Sequence, residues 1–182
     1  VVLAKSCNSS FAQMGVEQVG AQDMTSTAEG FGFNAKPPVD LPNPAESVFP
    51  VDFGAVVSRP DGLAPVNENA PALAQSSIGQ NDVAATPLQM ALVAAGIAND
   101  GEVMTPHVLG SVRARDGKVV QSYEPSVWRT AADPSVAATM REAMIGVVTD
   151  GTATIMQIPG FDVGAKTGTA QLGTEPATSH AW

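Results

Sequence analysis

The sequence VGAKTGTAQ occupies positions 163–171 and is the first element of a candidate site. Small and β-branched residues alternate along it, which predicts a strand. Side chains two apart in a strand face the same side, so Thr167 and Thr169 are expected to point together beside Lys166. The tripeptide SCN at positions 6–8, far away in the chain, is the second element of a candidate site.

These residue types can bind a carboxylate and an oxyanion. An ammonium at Lys166 beside two hydroxyls suits a carboxylate, and Gly168 leaves room for a substrate to pair with the strand edge. The backbone N–H of Thr169 can donate to a developing oxyanion. Ser6 can relay a proton, and the amide of Asn8 can hold a substrate amide. A serine acylating enzyme also needs a nucleophile, which this set does not supply.

Each motif also has an ordinary structural explanation. Lys-Thr-Gly is a common turn tripeptide, and Ser6 and Asn8 both suit the N-cap of one helix. Short matches have a high false-positive risk when they are taken one at a time. The functional interpretation therefore depends on the motifs occurring together.

Composition narrows the class of protein. The 182 residues are 44% hydrophobic, enough for a core in one domain or most of one. With 18 acidic against 9 basic residues the net charge is −9, which argues against nucleic acid or an anionic membrane surface as the main partner. The single Cys7 excludes an internal disulfide. With His107 and His180 it has no metal-ligand spacing, so no metal or cofactor is expected.

The first half of the chain is predicted to be helical around a long loop. Apolar spacing predicts helices over 8–20 and 22–33, and a segment rich in Pro, Asn, Asp and Gly predicts a surface loop over 36–72. A capping box at Thr86 then begins a helix to Asn99, whose apolar composition predicts a buried central helix.

The second half is predicted to contain a hairpin, a helix and a strand. Asp116-Gly117 between apolar segments at 108–115 and 118–123 predicts an exposed β-hairpin. A helix capped by Asp133 is expected to end at Val148, before a strand over 161–172. Its expected apolar stripe is Val136, Met140, Met144, Val147 and Val148. Helices first and a strand last, without a βαβ rhythm or a repeat, indicate an α+β fold.

Several stretches, in this order, carry a family resemblance: residues 4–11 (AKSCNSSF), 77–80 (SIGQ), 83–91 (VAATPLQMA), 151–153 (GTA) and 164–171 (GAKTGTAQ). Through them the chain resembles the transpeptidase domain of monofunctional (class B) penicillin-binding proteins, and within that class the penicillin-binding protein A type. S-x-N and K-T-G belong to the signature set of that family. Its other member, S-x-x-K, is missing, because no lysine here has a serine three residues before it.

The resemblance implies an antiparallel sheet of five strands packed between helices, with an all-helical subdomain across a cleft. Residues 1–182 would be part of one transpeptidase domain, from the S-x-N motif to just past the K-T-G strand. The nucleophile segment, any membrane anchor and the C-terminal strands and helix would lie outside these residues. The fragment alone is not expected to be catalytically competent.

The resemblance also implies a serine-type D,D-transpeptidase. In this family a serine that starts a helix attacks the penultimate D-Ala carbonyl of a peptidoglycan stem peptide, and D-Ala leaves. An amine from a neighbouring peptidoglycan strand then takes the acyl group. Ser6 would be the proton relay and Asn8 the ligand of a substrate amide. The carboxylate and electrostatic site would consist of Lys166, Thr167, Gly168 and Thr169.

Partners and location follow from the same resemblance. Expected partners are peptidoglycan stem peptides ending in D-Ala-D-Ala, β-lactam antibiotics that acylate the same serine, and proteins of cell-wall synthesis or division. The expected location is the extracytoplasmic face of the bacterial cytoplasmic membrane, with the anchor in a segment before this chain.

Three other functions remain open from the sequence. A β-lactamase or a β-lactam sensor would have the same fold and motifs. A cysteine hydrolase would use Cys7 with His107 or His180, although the surroundings of Cys7 match no cysteine-nucleophile signature. The thiol is instead expected to pack into the core.

Overall fold

The computed structural model describes residues 1–172 and 178–181. The α-helices in this part are α1 (Asn8–Met14), α2 (Gly20–Gly30), α3 (Ala70–Ser76), α4 (Pro87–Ala98) and α5 (Pro134–Asp150). The strands are β1 (Val56–Val57), β2 (Val66–Asn67), β3 (Glu102–Met104), β4 (Ser111–Arg113), β5 (Val119–Ser122), β6 (Val127–Thr130), β7 (Thr169–Leu172) and β8 (Thr178–Ala181). A π-helix (Gly15–Val19) joins α1 to α2, and 3₁₀ turns occupy Pro60–Gly62 and Thr154–Met156.

The strands form antiparallel pairs. In the described residues the pairs are β1 with β2, β3 with β6, β4 with β5, and β7 with β8. Helices with antiparallel strands confirm the α+β class. Four separate pairs, rather than one sheet of five strands, are seen in this part of the chain.

The β4–β5 hairpin confirms the prediction made from its turn. Gly117 has a φ of 84°, and Asp116 Oδ1 accepts the Lys118 N–H at 3.0 Å. Both strands are exposed along their whole length. A glycine is favoured at this position because few other residues adopt a positive φ without strain.

Helix α4 begins as the sequence predicts. Thr86 Oγ1 accepts the N–H of Gln89 at 3.0 Å, and Pro87 occupies the first helical position. The reciprocal half of the capping box is not formed, because the Thr86 N–H donates to Ser47 Oγ at 3.0 Å instead of to the Gln89 side chain. Gln89 Nε2 donates to the Phe31 carbonyl at 2.7 Å. Burial is confined to the side that holds Gln89 and Leu92, whereas the sequence predicted a buried central helix.

Helix α5 buries only the C-terminal end of its predicted apolar stripe. Ala137 and Val148 are buried, but Val136 is 55% and Met140 39% exposed, so the first half of the predicted stripe is wrong. The helix is rotated so that the face of Ala137 packs towards α4. Arg141 on that face donates to two carbonyls at the end of α4, each at 3.4 Å. The helix also runs two residues past its predicted end.

The N-terminal helices lie close to their predicted positions. The helix predicted over 8–20 is α1 followed by the π-helix, and the one predicted over 22–33 is α2. Cys7 is the N-cap of α1 and makes no capping hydrogen bond through its side chain, so neither Ser6 nor Asn8 caps this helix.

The segment predicted as a surface loop contributes to the core. Phe49 and Phe53 are buried with Leu73 in one hydrophobic cluster, although both phenylalanines fall within residues 36–72. Helix α3 also begins in that segment, where Asn69 Oδ1 accepts the N–H of residue 72 at 3.4 Å. The prediction of a solvated connection is therefore wrong for these parts. No helix in the described residues has the length and apolar content needed to cross a membrane.

Strand β7 is shorter than the predicted strand over 161–172. It is Thr169–Leu172, paired with Thr178–Ala181. The residues just before β7 have no strand partner within the described part of the chain. Instead, the Ala165 N–H donates to the Met144 carbonyl of α5 at 3.2 Å. The segment that contains Lys-Thr-Gly is therefore attached to a helix.

Candidate active site

A turn at the start of the chain sets the orientation of Ser6. The Lys5 N–H donates to the Val1 carbonyl at 3.0 Å and the Ser6 N–H to the Leu3 carbonyl at 3.1 Å. Ser6 itself has a φ of 51°, a left-handed conformation that is uncommon for residues other than glycine. Such strain persists where surrounding contacts hold it, and it occurs often at functional sites. The half-buried Ser6 hydroxyl turns towards the Lys-Thr-Gly segment as a result.

Lys166 joins the two motifs. Its Nζ donates to Ser6 Oγ at 2.7 Å and to the Thr167 carbonyl at 2.6 Å. The side chain is half-buried, and desolvation lowers the pKa of Lys166 below its ordinary value of 10.5. A partly desolvated ammonium interacts more strongly with a bound anion than one in bulk water does.

Thr167 is held by Thr152, for which no role was predicted. Its Oγ1 lies 2.9 Å from Thr152 Oγ1, within hydrogen-bonding distance. The Thr152 N–H in turn donates to the Ala4 carbonyl at 3.1 Å. Thr152 belongs to the GTA stretch that contributed to the family resemblance, and that was its only signal in the sequence.

The other predicted site residues make fewer contacts. Asn8 begins α1 with an exposed side chain, and Thr169 begins β7 and is also exposed. Gly168 between the two threonines is half-buried. Within the described residues the structure brings Ser6, Lys166 and Thr167 together, and it records no side-chain hydrogen bond for Asn8 or Thr169.

The C-terminal end of α5 supports both sides of the site. Val147, Val148 and Ala153 form a buried cluster. Leu3 packs against this cluster from the Ser6 side, and Val163 and Ala165 pack against it from the Lys166 side. One apolar core thus fixes the spacing between the two motif segments.

Polar contacts strengthen the same attachment. Lys5 Nζ donates to the Asp150 carbonyl in the last turn of α5 at 3.1 Å. A cation is favourable there because the last carbonyls of a helix carry partial negative charge. A methyl group on Gly151 would overlap the Ala4 carbonyl oxygen, so the close approach of the two segments requires a glycine.

The Cys7 thiol is not in the core, contrary to expectation. Its Sγ accepts from Ser10 Oγ at 3.2 Å and lies 3.4 Å from Ser9 Oγ. These hydrogen bonds, that of Ser10 first, lower the pKa of Cys7 to about 7. His107 stacks on Tyr123 elsewhere in the fold, so the described residues contain no pair of Cys7 and His107.

Comparisons with known proteins identify the family of this chain. Residues 1–182 match the model of the penicillin-binding protein transpeptidase domain. The chain is 38% identical over 181 residues to the peptidoglycan D,D-transpeptidase PbpA of Mycolicibacterium smegmatis, an alignment that covers 98% of this chain and 33% of that protein. The chain belongs to the penicillin-binding protein transpeptidase family, which confirms the recognition made from its motifs.

Solved structures agree as well. The crystal structure of PBPA from Mycobacterium tuberculosis matches with a TM-score of 0.76 and 35% identity, covering 99% of this chain and 38% of that chain. Its penicillin G acyl-enzyme complex matches with a TM-score of 0.77 and 36% identity, covering 96% and 35%. The chain spans about a third of the length of the curated relatives it matches (33%).

Proposed function

We propose that the protein containing this chain is a peptidoglycan D,D-transpeptidase that works through a serine acyl-enzyme and is acylated by β-lactams. The observation that carries the proposal is the 2.7 Å hydrogen bond from Lys166 Nζ to Ser6 Oγ, which unites the S-x-N and K-T-G motifs in one site. Membership of the transpeptidase family and the acyl-enzyme structures of relatives support it.

In the proposed reaction the nucleophilic serine and its lysine base lie outside this chain. The serine oxygen attacks the penultimate D-Ala carbonyl and its proton goes to the base. The C–N bond breaks, and D-Ala leaves with a proton delivered through the Ser6 hydroxyl. An amine from a neighbouring stem peptide then attacks the ester carbonyl, and the bond to the serine oxygen breaks. The amine loses a proton and the serine oxygen gains one, so that the cross-link forms and the serine is restored.

The residues of this chain bind substrate and move that proton. Lys166 supplies positive charge beside Ser6, and its contact holds the hydroxyl in place. Thr167 and Thr169 bind the terminal carboxylate, with Gly168 leaving space for the substrate backbone. Asn8 holds a substrate amide. An ammonium and hydroxyls suit a carboxylate because each of them can donate a hydrogen bond to it.

The proposal extends to location and partners. The parent protein acts outside the cytoplasmic membrane, anchored by a segment that precedes this chain, and its partners are stem peptides, β-lactams and proteins of cell-wall synthesis or division. The site of this chain fits such substrates because its candidate ligands for an anion are Lys166 and the neighbouring hydroxyls.

The test uses the full-length protein with a stem-peptide mimic ending in D-Ala-D-Ala and an amine acceptor. Release of D-Ala together with a cross-linked product is the expected result. Rapid hydrolysis of penicillin without peptide transfer would indicate a β-lactamase, and a single lasting acylation without peptide turnover would indicate a sensor. Either of those results would overturn the transpeptidase proposal.

A further inference from the structure

Thr152 connects the two motif segments from the middle of the site. Its backbone N–H donates to the Ala4 carbonyl at 3.1 Å, two residues before Ser6, and its Oγ1 lies 2.9 Å from Thr167 Oγ1. Ala153, the next residue, is buried in the cluster at the end of α5. The backbone that carries the Thr152 hydroxyl is therefore anchored on both sides of it.

Binding of an anion determines which of the two hydroxyls, Thr152 or Thr167, donates the hydrogen bond between them. A threonine hydroxyl has one hydrogen to donate and lone pairs that accept. If Thr167 donated to Thr152, only its lone pairs would face a carboxylate, which would repel it. If Thr152 donates to Thr167, the Thr167 hydrogen is free for the carboxylate. Hydrogen bonds in such a chain strengthen one another by polarisation.

Resting on the function proposed above, we propose that Thr152 is a positioning residue that orients the Thr167 hydroxyl to donate to the substrate carboxylate. Thr152 itself does not touch the substrate. By donating to Thr167 Oγ1, it fixes the rotamer of Thr167 and leaves the Thr167 hydrogen free for the carboxylate. It thereby contributes to the preference for substrates that end in a free carboxylate.

The test compares two substrates of the full-length protein, a stem-peptide mimic ending in D-Ala and the same peptide ending in D-alaninamide. The Thr152→Val variant keeps the shape and the backbone N–H but lacks the hydroxyl. We expect kcat/KM for the carboxylate substrate to fall about tenfold, within the range of one lost hydrogen bond. Turnover of the amide substrate should fall less, because a neutral amide oxygen accepts a weaker hydrogen bond than a carboxylate does, so that the carboxylate preference shrinks.

Four further variants complete the test. Thr152→Ser restores the hydroxyl and should restore the preference. Thr167→Val should resemble Thr152→Val, and the double variant should lose little more than either alone, because the two residues act on the same hydrogen bond. Thr154→Val removes an exposed hydroxyl two residues away and serves as the matched control, expected to match wild type.

Two outcomes would overturn the inference. An unchanged carboxylate preference in Thr152→Val, or an equal loss on both substrates together with a lower melting temperature, would show that the hydroxyl has no such role. If Thr152→Val does not fold, Thr152→Ala removes the same hydroxyl and gives the same comparison. A wild-type protein that penicillin does not acylate and that turns over neither substrate would instead refute the proposed function itself.

Discussion

Lys166 Nζ lies 2.7 Å from Ser6 Oγ, although 160 residues separate the two side chains in the sequence. The contact unites two motifs that are weak signals individually. It also gives Lys166 a role that a surface lysine lacks, because the half-buried ammonium has a fixed partner. Neighbouring Thr167 adds a hydroxyl to the same region.

Replacing Lys166 by alanine should reduce the rate of acylation by a β-lactam several hundredfold. Loss of one preorganised donor at an oxyanion site costs roughly 10²–10³ in rate, and the Lys166 ammonium is such a donor in the proposed site. The measurement is the second-order rate constant of acylation of the full-length protein by a fluorescent penicillin. Lys36→Ala, which removes an exposed cation, is the control and should behave as wild type. An unchanged acylation rate in Lys166→Ala would show that Lys166 does not take part in acylation.

The acylation rate should fall in the alkaline range as Lys166 loses its proton. Burial lowers the pKa of Lys166, so the ammonium is present below this lowered pKa and is lost as the pH rises through it, before 10.5 is reached. The measurement is the pH profile of acylation for wild type and for Lys166→Arg, whose guanidinium stays protonated. The alkaline limb should move to higher pH in the arginine variant, and an identical limb in both proteins would contradict this assignment.

The same group should affect stability with a defined sign. A lysine whose folded pKa lies below its unfolded pKa binds its proton more tightly in the unfolded chain. Stability therefore rises as the pH increases from the folded pKa towards 10.5. The melting temperature of wild type should therefore rise relative to that of Lys166→Met as the pH increases across that range. A difference that is constant with pH would show that the pKa is not lowered.

Alkylation of Cys7 by iodoacetamide should be half-maximal near pH 7. The thiolate is the reactive form, and hydrogen bonds led by that of Ser10 lower the pKa of Cys7 from 9.0 to about 7. Ser10→Ala should raise the midpoint. A wild-type midpoint near 9.0 would contradict the described hydrogen bonds.

Cys7→Ala should leave acylation by penicillin unchanged, because the thiol bonds to serines of its own helix and Cys7 is the variable position of S-x-N. Loss of all acylation in a folded Cys7→Ala protein would instead support the hypothesis of a cysteine hydrolase that uses Cys7.

Gly151→Ala should destabilise the protein and impair acylation. The added methyl group would overlap the backbone carbonyls of Ala4 and Val147, and overpacking of this kind costs about 1–3 kcal/mol. Gly146→Ala in α5 is the matched control, because its methyl group would meet no atom of the described residues. A helical Gly→Ala change there should stabilise by up to about 1 kcal/mol. Thermal unfolding that is the same for both variants would contradict the close packing at Gly151.

Elements with local signals were predictable from the sequence. The capping threonine and proline of α4 mark its start, and Asp116-Gly117 marks the β4–β5 turn. Both signals act through hydrogen bonds or backbone angles within a few residues, so they do not depend on the rest of the fold.

The predictions from sequence were wrong where tertiary contacts determine which residues are buried and which segments form strands. Helix α5 presents Ala137 instead of Val136 to the interior because its face is selected by packing on α4, and an apolar stripe fixes such a rotation only loosely. Phe49 and Phe53 are buried, although the Pro and Gly content of their segment predicted a solvent-exposed loop. Strand β7 is short because a strand needs a partner as well as a suitable sequence.

The site was predictable from its motifs but not from periodicity. No spacing rule brings Ser6 to Lys166 across the chain, and only the family resemblance indicated that they meet. Thr152 received no role because its contribution is a single hydroxyl contact, 15 residues from Thr167, that becomes visible only once the end of α5 is folded.

The intact mass of the full-length protein before and after incubation with penicillin G, followed by mapping of the modified peptide, shows whether Ser6 and Lys166 assist a serine outside this chain. We expect an increase in mass of one penicillin, carried by a serine of an S-x-x-K motif outside residues 1–182. An unmodified protein, or an adduct on a residue within these 182, would contradict the assignment of Ser6 and Lys166 to a site that assists an external serine.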